Sequence, residues 1–195
     1  MPRITAPTVI EHREQRLRAL LDAARAIVSE TRTAPPLAAT AERAGLARSS
    51  IYRYFSSSEQ LLAAVVADTF PVWAGRVRTR VEAATMPGEK IWAYIGANLD
   101  LFSSSEQDLA SALREVADPH LLKEPRETFH AELQEPLVAA LVEHGEPRPQ
   151  LVAETIEGAL IHVARGLGSP PEAPLDKDEA LAVFLRIFGG YLGFD

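Results

Sequence analysis

Residues 37–55 read LAATAERAGLARSSIYRYF, and the fold turns on how this stretch is read. "LAATAERAG" has room for only two helical turns before Gly45, a residue suited to the left-handed conformation that ends a helix. A short "LA" link leads into "RSSIYRYF", which reads as a second short helix of about seven residues. Two short helices joined by a glycine-containing turn and preceded by a longer helix follow the plan of a helix-turn-helix unit. The longer helix is present upstream: Leu17, Leu20, Leu21, Ala24, Ile27 and Val28 recur at three- and four-residue steps and draw one apolar stripe. Thr8 and Glu11 form a candidate capping box at its start, and "TRTAPP" ends it.

With Ile51 and Phe55 turned inward on the second short helix, a step of about 100° per residue points Ser49, Ser50 and Arg53 away and leaves Tyr52 and Tyr54 on the flanks. Partial burial is expected for Tyr52. The outward residues have the chemistry of a nucleic-acid reader. Serine and tyrosine hydroxyls bond phosphate or base edges, arginine makes a bidentate contact to guanine, and tyrosine meets a thymine methyl. On the first helix, Arg13, Arg16 and Arg18 fit phosphate contacts and fit a solvated helix face equally well.

Charge supports a basic head. Residues 1–54 hold nine Lys+Arg against five acidic side chains, a surplus of four, whereas the rest of the chain holds 11 basic and 22 acidic residues. The overall net charge of −7 therefore hides the asymmetry that matters for a polyanionic partner.

The hexapeptide FSSSEQ occurs at 55–60 and again at 102–107. A serine hydroxyl accepts from an orphan N–H at a helix start while the residue three along reaches back, so Ser57 with Gln60 and Ser104 with Gln107 both fit capping. The flanks do not match, so this is one local device used twice and not a repeat. In the first copy, Ser57 and Ser58 stand at a helix N-terminus whose free N–H groups can receive a phosphate.

From Glu59 the helical pattern runs to about Val81, with Pro71 expected to kink or divide it. "MPG" resets the chain, and Ile91, Trp92, Ile95, Leu99 and Phe102 give the next stripe. Further helices are expected over about 106–116, from about Arg126 to His144 with an interruption at Pro136, over Leu151 to about Leu167, and over about Asp178 to Leu192. No alternating strand pattern stands out. The expected fold class is all-α, about nine helices, with an N-terminal three-helix head on a larger helical body.

Other functions are disfavoured. Cysteine is absent, which removes disulfides and thiolate chemistry. There is no GxSxG, HExxH, P-loop or dinucleotide fingerprint, and the five histidines are scattered, so no catalytic residue, metal or cofactor is expected. No apolar run is long enough to span a bilayer and the opening "MPRITAPTVIEHREQR" is too polar for a secretory signal, so no membrane partner and a cytoplasmic location are expected. A small helical enzyme and a helical protein–protein interaction module are the rival readings.

The stretch "LAATAERAGLARSSIYRYFSSSEQLLAAV" resembles the N-terminal signature of the tetracycline-repressor (TetR) family of bacterial transcriptional regulators, over about residues 9–66. "AERAG", "IYRYF" and "LL" carry the likeness. It implies an all-helical homodimer whose three N-terminal helices bind operator DNA, with the remaining helices forming a dimer interface and commonly an inducer pocket. It further implies that Arg48, Ser49, Ser50, Tyr52 and Tyr54 face DNA, with Arg53 a candidate too. Three departures stand out. Ser58 occupies a position where the family usually has lysine, Ala47 replaces the usual serine or threonine cap, and Pro36, Leu37, Ala38 and Ala39 fill positions often polar in relatives. DNA affinity is therefore expected to lean on Arg48, Arg53 and backbone amides.

The expected division is a helix-turn-helix DNA-binding domain at 1–56 and a ligand-binding and dimerisation domain at 57–195. In the body, Phe70, Trp73, Trp92, Phe102, Phe129, His130, His162 and Arg165 are candidates to line a cavity for a small hydrophobic or amphipathic inducer, although each aromatic taken singly reads as plain core. Val152, Ile156, Ala159, Leu160 and Val163, with Leu181, Phe184, Leu185, Phe188 and Leu192, suit a four-helix interface between two copies as well as the closing of a monomer. The expected protein is a ligand-responsive repressor bound to a palindromic operator in double-stranded DNA.

Overall fold

The computed structural model describes the backbone of residues 9–102, 105–116, 119–167 and 176–194, and within these all side chains except those at 9–10, 102, 105–107, 110, 114, 119–127 and 164–167. Thr8 and Ser104, proposed above as caps, lie outside the described residues. Among those described there are eight α-helices, one 3₁₀ helix and no strand. In chain order they are α1 (Val9–Thr31), α2 (Leu37–Arg43), the 3₁₀ helix Arg48–Arg53, α3 (Ser58–Glu82), α4 (Pro87–Phe102), α5 (Ser105–Val116), α6 (Pro119–Glu143), α7 (Pro149–Leu167) and α8 (Lys177–Leu192).

Local sequence explains most boundaries. Proline opens α4, α6 and α7 at Pro87, Pro119 and Pro149, where its missing N–H has no intrahelical partner to lose. Both FSSSEQ copies start a helix at their third serine, Ser58 and Ser105. Asp176 caps α8 by accepting from Glu179 N at 2.8 Å, while the Glu179 carboxylate accepts from Asp176 N at 3.1 Å, a complete capping box.

The interruption expected at Pro136 and the division expected as one alternative at Pro71 are corrected. α3 runs through Pro71, and α6 runs through Pro125 and Pro136 from a start at Pro119, seven residues earlier than expected. An interior proline forfeits a backbone bond and crowds the preceding turn, at about 3 kcal/mol. Each helix offsets that cost with tertiary burial beside the proline: Trp73, Ala74 and Val77 in α3, and Leu133, Leu137 and Ala140 in α6. Fully burying a large apolar side chain stabilises by about 1.5–3 kcal/mol, so Trp73 and Val77 cover the single proline of α3, and Leu133, Leu137 and Leu141 are of the order needed for the two in α6.

The chain separates into two compact units. One comprises the chain up to Asp68 with Ser111–Leu122, and the other comprises Thr69–Ala110 with the chain from Lys123 onward. In the first, Leu20, Leu21, Ala24, Ile27 and Val28 of α1 are buried together with Leu37, Ala41, Ile51, Phe55 and the Leu61, Leu62, Val65 and Val66 positions of α3. The predicted α1 stripe is thus the buried face, with Leu17 half-buried at its edge. In the second, α4 is central, packing on α7 and α8, and its Ile91, Tyr94, Ile95 and Leu99 join Leu137, Leu141, Ile156, Leu160 and Phe184 in one core. Gly88 allows α4 to approach α8 closely, because a Cβ there would collide with the Leu192 carbonyl oxygen. Trp92 and Phe194 close the same end with an edge-on contact at 5.9 Å between ring centroids.

Candidate nucleic-acid interface

The turn that separates the two short helices is built as the sequence predicts. Gly45 has φ +70°, Gly45 N–H donates to Glu42 O at 3.1 Å, and Leu46 N–H donates to Ala41 O at 2.8 Å. This pair of bonds is the Schellman closure, and it needs a residue that tolerates positive φ. The chain then enters Arg48–Arg53, which is 3₁₀ and not α: Ser50 N–H bonds Ala47 O at 2.8 Å and Tyr54 N–H bonds Ile51 O at 2.8 Å, both three residues back. Ala47 supplies no side-chain cap.

That change of helix type alters which residues face outward. At three residues per turn, side chains three apart eclipse, with a step of about 120° in place of about 100°. Tyr54 falls in line with the fully buried Ile51 and is half-buried, its ring 6.5 Å from that of Phe55. Tyr52 falls in line with Ser49, and both are exposed, Tyr52 at 61%. The partial burial expected of Tyr52 is therefore corrected; it belongs to Tyr54. Ser50, half-buried, stands in line with the exposed Arg53. Two adjacent outward rows result, Ser49 with Tyr52 and Ser50 with Arg53.

Arg48 opens this segment, exposed, with Nη2 bonding Glu42 Oε2 at 2.7 Å. Ser57 caps α3, its hydroxyl oxygen accepting from Gln60 N–H at 3.1 Å. The glutamine reaches back to Ser56, whose N–H donates to Gln60 Oε1 at 2.7 Å, one residue earlier than a standard capping box. Ser57 and Ser58 are both half-buried at the helix start. On α2, Leu37 is buried, Ala38 half-buried and Ala39 exposed, while Thr40 is buried with its hydroxyl bonded to Pro36 O at 2.9 Å. That helix face offers little hydrogen bonding to a partner.

Charge in this unit is partly consumed internally. Arg43 makes two 2.5 Å bonds to the Glu30 carboxylate, which hold that carboxyl below its ordinary range and raise the guanidinium. Arg25 pairs with Asp22 at 2.5 Å and with Asp68, and Arg32 pairs with Glu115 at 2.6 Å. Arg13, Arg16, Arg18 and Arg53 are exposed and have no ion-pair partner among the described residues. They are the cations left available to a polyanion.

In the other unit, four of the eight residues predicted to line a cavity come together. Phe70, Trp73 and Phe129 form an aromatic cluster with centroid separations of 5.6, 4.8 and 6.2 Å, and His130 lies 6.1 Å from Phe129. Trp92 instead packs on Phe194, and His162 is exposed. The side chains of Phe102 and Arg165 lie outside the described residues.

Sequence reading missed a polar chain nearby. Tyr94 OH donates to Glu157 Oε1 at 3.1 Å, Gln134 Nε2 donates to Glu157 Oε2 at 3.1 Å, and Gln150 Nε2 donates to Gln134 Oε1 at 2.9 Å. Burial pushes the Glu157 carboxyl above its ordinary range, and the bonds from Tyr94 and Gln134 with the nearby His130 offset this only in part. Burial likewise drives the Tyr94 phenol far up, so it stays a donor. The available signal was Glu157 immediately following Ile156 on the apolar stripe of α7.

The residues proposed for a dimer divide. Ile156, Leu160, Phe184 and Leu192 are buried within the single chain, where they hold its own core and offer no area to a partner, and Val152, Ala159, Val163, Leu181 and Phe188 are half-buried. Leu185 is exposed at 46%. Among the described residues, the other exposed large apolar side chains of α7 and α8 are Leu151, Ile161, Ile187 and Tyr191, none of which the stripe picked out.

Two short helices about a Schellman turn, sealed by a buried Ile51 and Phe55 and presenting hydroxyls and an exposed arginine, define a helix-turn-helix unit. Residues 20–65 match the family described as bacterial regulatory proteins, tetR family, so this N-terminal segment is similar to that family. No curated protein matches the chain. Among solved structures, it is similar to a transcriptional regulator from Pseudomonas aeruginosa PAO1, with TM-score 0.76, 15% identity and coverage of 93% of this chain and 92% of that one. It is also similar to a TetR/AcrR-family regulator from Thermobifida fusca YX-ER1, with TM-score 0.66, 22% identity and coverage of 88% and 95%. The regulator FadR from Bacillus subtilis, solved with stearoyl-CoA, aligns with TM-score 0.67, 16% identity and coverage of 91% and 98%. At these identities the likeness is one of fold. No helix among the described residues is long and apolar enough to cross a membrane.

Proposed function

We propose that the chain is a ligand-responsive, homodimeric repressor that binds a palindromic operator in double-stranded DNA and is released by a small hydrophobic or amphipathic inducer. The observation that carries this reading is the pair of outward rows on the 3₁₀ helix, anchored from behind by Ile51 and Phe55 in a unit with exposed arginines that pair with no described residue. Arg48, Ser49, Ser50, Tyr52 and Arg53 contact base edges and phosphates, Tyr54 supports them from the flank, and Ser57 and Ser58 receive a phosphate at the α3 N-terminus. The DNA-binding domain is assigned to residues 1–56 and the ligand-binding and dimerisation domain to 57–195, acting in the cytoplasm.

A short recognition segment reads too few base pairs to be selective alone. Two copies spaced one DNA turn apart, ~34–36 Å, read a palindrome. The exposed apolar side chains Leu151, Ile161, Leu185, Ile187 and Tyr191 on α7 and α8 support pairing of two chains through those helices. Phe70, Trp73 and Phe129 are assigned to the apolar part of the inducer, in line with the amphipathic ligand held by the Bacillus subtilis FadR structure. An inducer that prefers the conformation with poorly spaced heads lowers operator affinity, and DNA lowers inducer affinity by the same factor.

The test is a Tyr52→Ala/Arg53→Ala variant assayed on an operator selected by the wild-type protein. Operator binding is expected to be lost with the thermal midpoint unchanged, since both side chains are exposed. Wild-type affinity in a folded variant would contradict this recognition face.

A further inference from the structure

The Arg48–Glu42 ion pair differs in placement from the other ion pairs of the head unit. Arg43 with Glu30 and Arg25 with Asp68 tie α2 and α3 to α1, Arg25 with Asp22 lies within α1, and Arg32, just past α1, reaches Glu115 of α5. Arg48 and Glu42 instead face one another across the turn at 44–47, at the mouth of the segment assigned to DNA, with side chains 72% and 66% exposed. The bond is 2.7 Å long and charge-assisted. It partly neutralises the first cation of that segment with a carboxylate six residues upstream, and the Nη2 donor that bonds Glu42 reaches a phosphate or a base only by leaving it.

We infer that Glu42 is a specificity-determining positioning residue, which restrains Arg48 in the free protein and so weakens adhesion to random DNA more than binding to the operator. The inference rests on the DNA-binding reading above and adds a residue that contacts no DNA itself. In a non-specific complex, Arg48 gains only a screened phosphate contact, while the Glu42 carboxylate is left close to the polyanion. An exposed pair shifts an equilibrium by up to about fivefold, enough to offset most of such a contact. A bidentate base contact at the operator discriminates by about five- to a hundredfold, so there the exchange is favourable. Glu42 thus raises the ratio of specific to non-specific affinity without adding a contact.

The experiment compares wild type, Glu42→Gln, Arg48→Ala and the double variant on the wild-type-selected operator and on random-sequence duplex, each over a range of salt. Glutamine keeps helix propensity at the end of α2, and helical content and thermal midpoint are checked for each protein. Glu42→Gln is expected to bind random duplex about three- to fivefold more tightly, with a smaller gain on the operator, and the gain is expected to vanish in the Arg48→Ala background. An equal gain in both backgrounds would mean that Glu42 acts only as a general negative charge, and that overturns the proposal, as would equal gains on both DNAs or none. If folded wild type binds no duplex, the underlying DNA-binding reading fails instead. A readout without DNA separates the two: the Arg48 guanidinium NMR signal of the free protein is expected to shift and lose exchange protection in Glu42→Gln, and an unchanged signal removes the restraint itself.

Discussion

Tyr52 and Tyr54 lie two positions apart and look alike in the sequence, yet the helix type gives them different work. Tyr52→Ala is expected to weaken operator binding and leave the thermal midpoint within error, whereas Tyr54→Ala is expected to lower both, measured by fluorescence anisotropy and calorimetry on the same samples. Equal midpoints would show that Tyr54 is not packed. Ile51→Ala marks the other extreme: a fully buried side chain is lost, at about 2–5 kcal/mol, and DNA binding falls because the head unfolds. Chemical type and approximate direction were legible at these positions, since Ser49, Arg53, Ile51 and Phe55 lie where the periodicity sets them. The tyrosines were misjudged because a 100° step was applied to a segment that closes its bonds three residues back. Nothing in "RSSIYR" announces 3₁₀ geometry beyond the missing cap at Ala47. The place of Glu157 beside Ile156 was its one sequence signal, but its partners were illegible, as Tyr94 and Gln134 sit 63 and 23 residues away along the chain.

Caps, stripes and turns were readable over most helices because their causes are local. The Gly45 turn, the Ser57 cap and the start of α5 at Ser105 need only a few neighbouring residues. The prolines were misread because what carries a helix through Pro71 or Pro136 is burial against other helices, which sequence does not display. Two features of the second unit test its packing. Gly88→Ala is expected to destabilise α4 against α8 by about 1–3 kcal/mol, as overpacking does, seen as a lower denaturation midpoint; an unchanged midpoint would contradict the close approach to Leu192. Asp100 receives Arg80 from α3 and Lys177 from the first turn of α8. Burial raises its carboxyl, but the bonds from Lys177 and Arg80 prevail and hold it below its ordinary value of 3.8. A depressed native pKa contributes stability that is present above that value and lost as pH falls through the native one. Asp100→Asn is therefore expected to lower the thermal midpoint at neutral pH, in line with about 0.2–1 kcal/mol for a partly exposed pair, and the gap is expected to close below about pH 4. A gap that persists in acid would assign the loss to packing.

The charge pattern of the chain sets what it can bind, with the surplus of positive charge confined to residues 1–54 and a net of −11 beyond them. Assembly then decides whether one short segment can be selective. Leu185→Arg places a charge on an exposed apolar position of α8 and is expected to convert dimer to monomer in sedimentation velocity with the fold retained. Phe184→Ala, one residue away but buried, is expected to cost about 3–5 kcal/mol of stability whatever the assembly. A Leu185→Arg protein that stays dimeric would move the interface off this face. The most direct measurement of all is selection of bound sequences from a random duplex pool by wild-type protein, followed by salt titration of the winner. The account predicts a palindrome with half-sites one helical turn apart and an affinity that falls steeply with salt, by a slope of about −0.9 per neutralised phosphate on logarithmic axes. A folded, dimeric protein that enriches no sequence, or binds one without salt dependence, would contradict it.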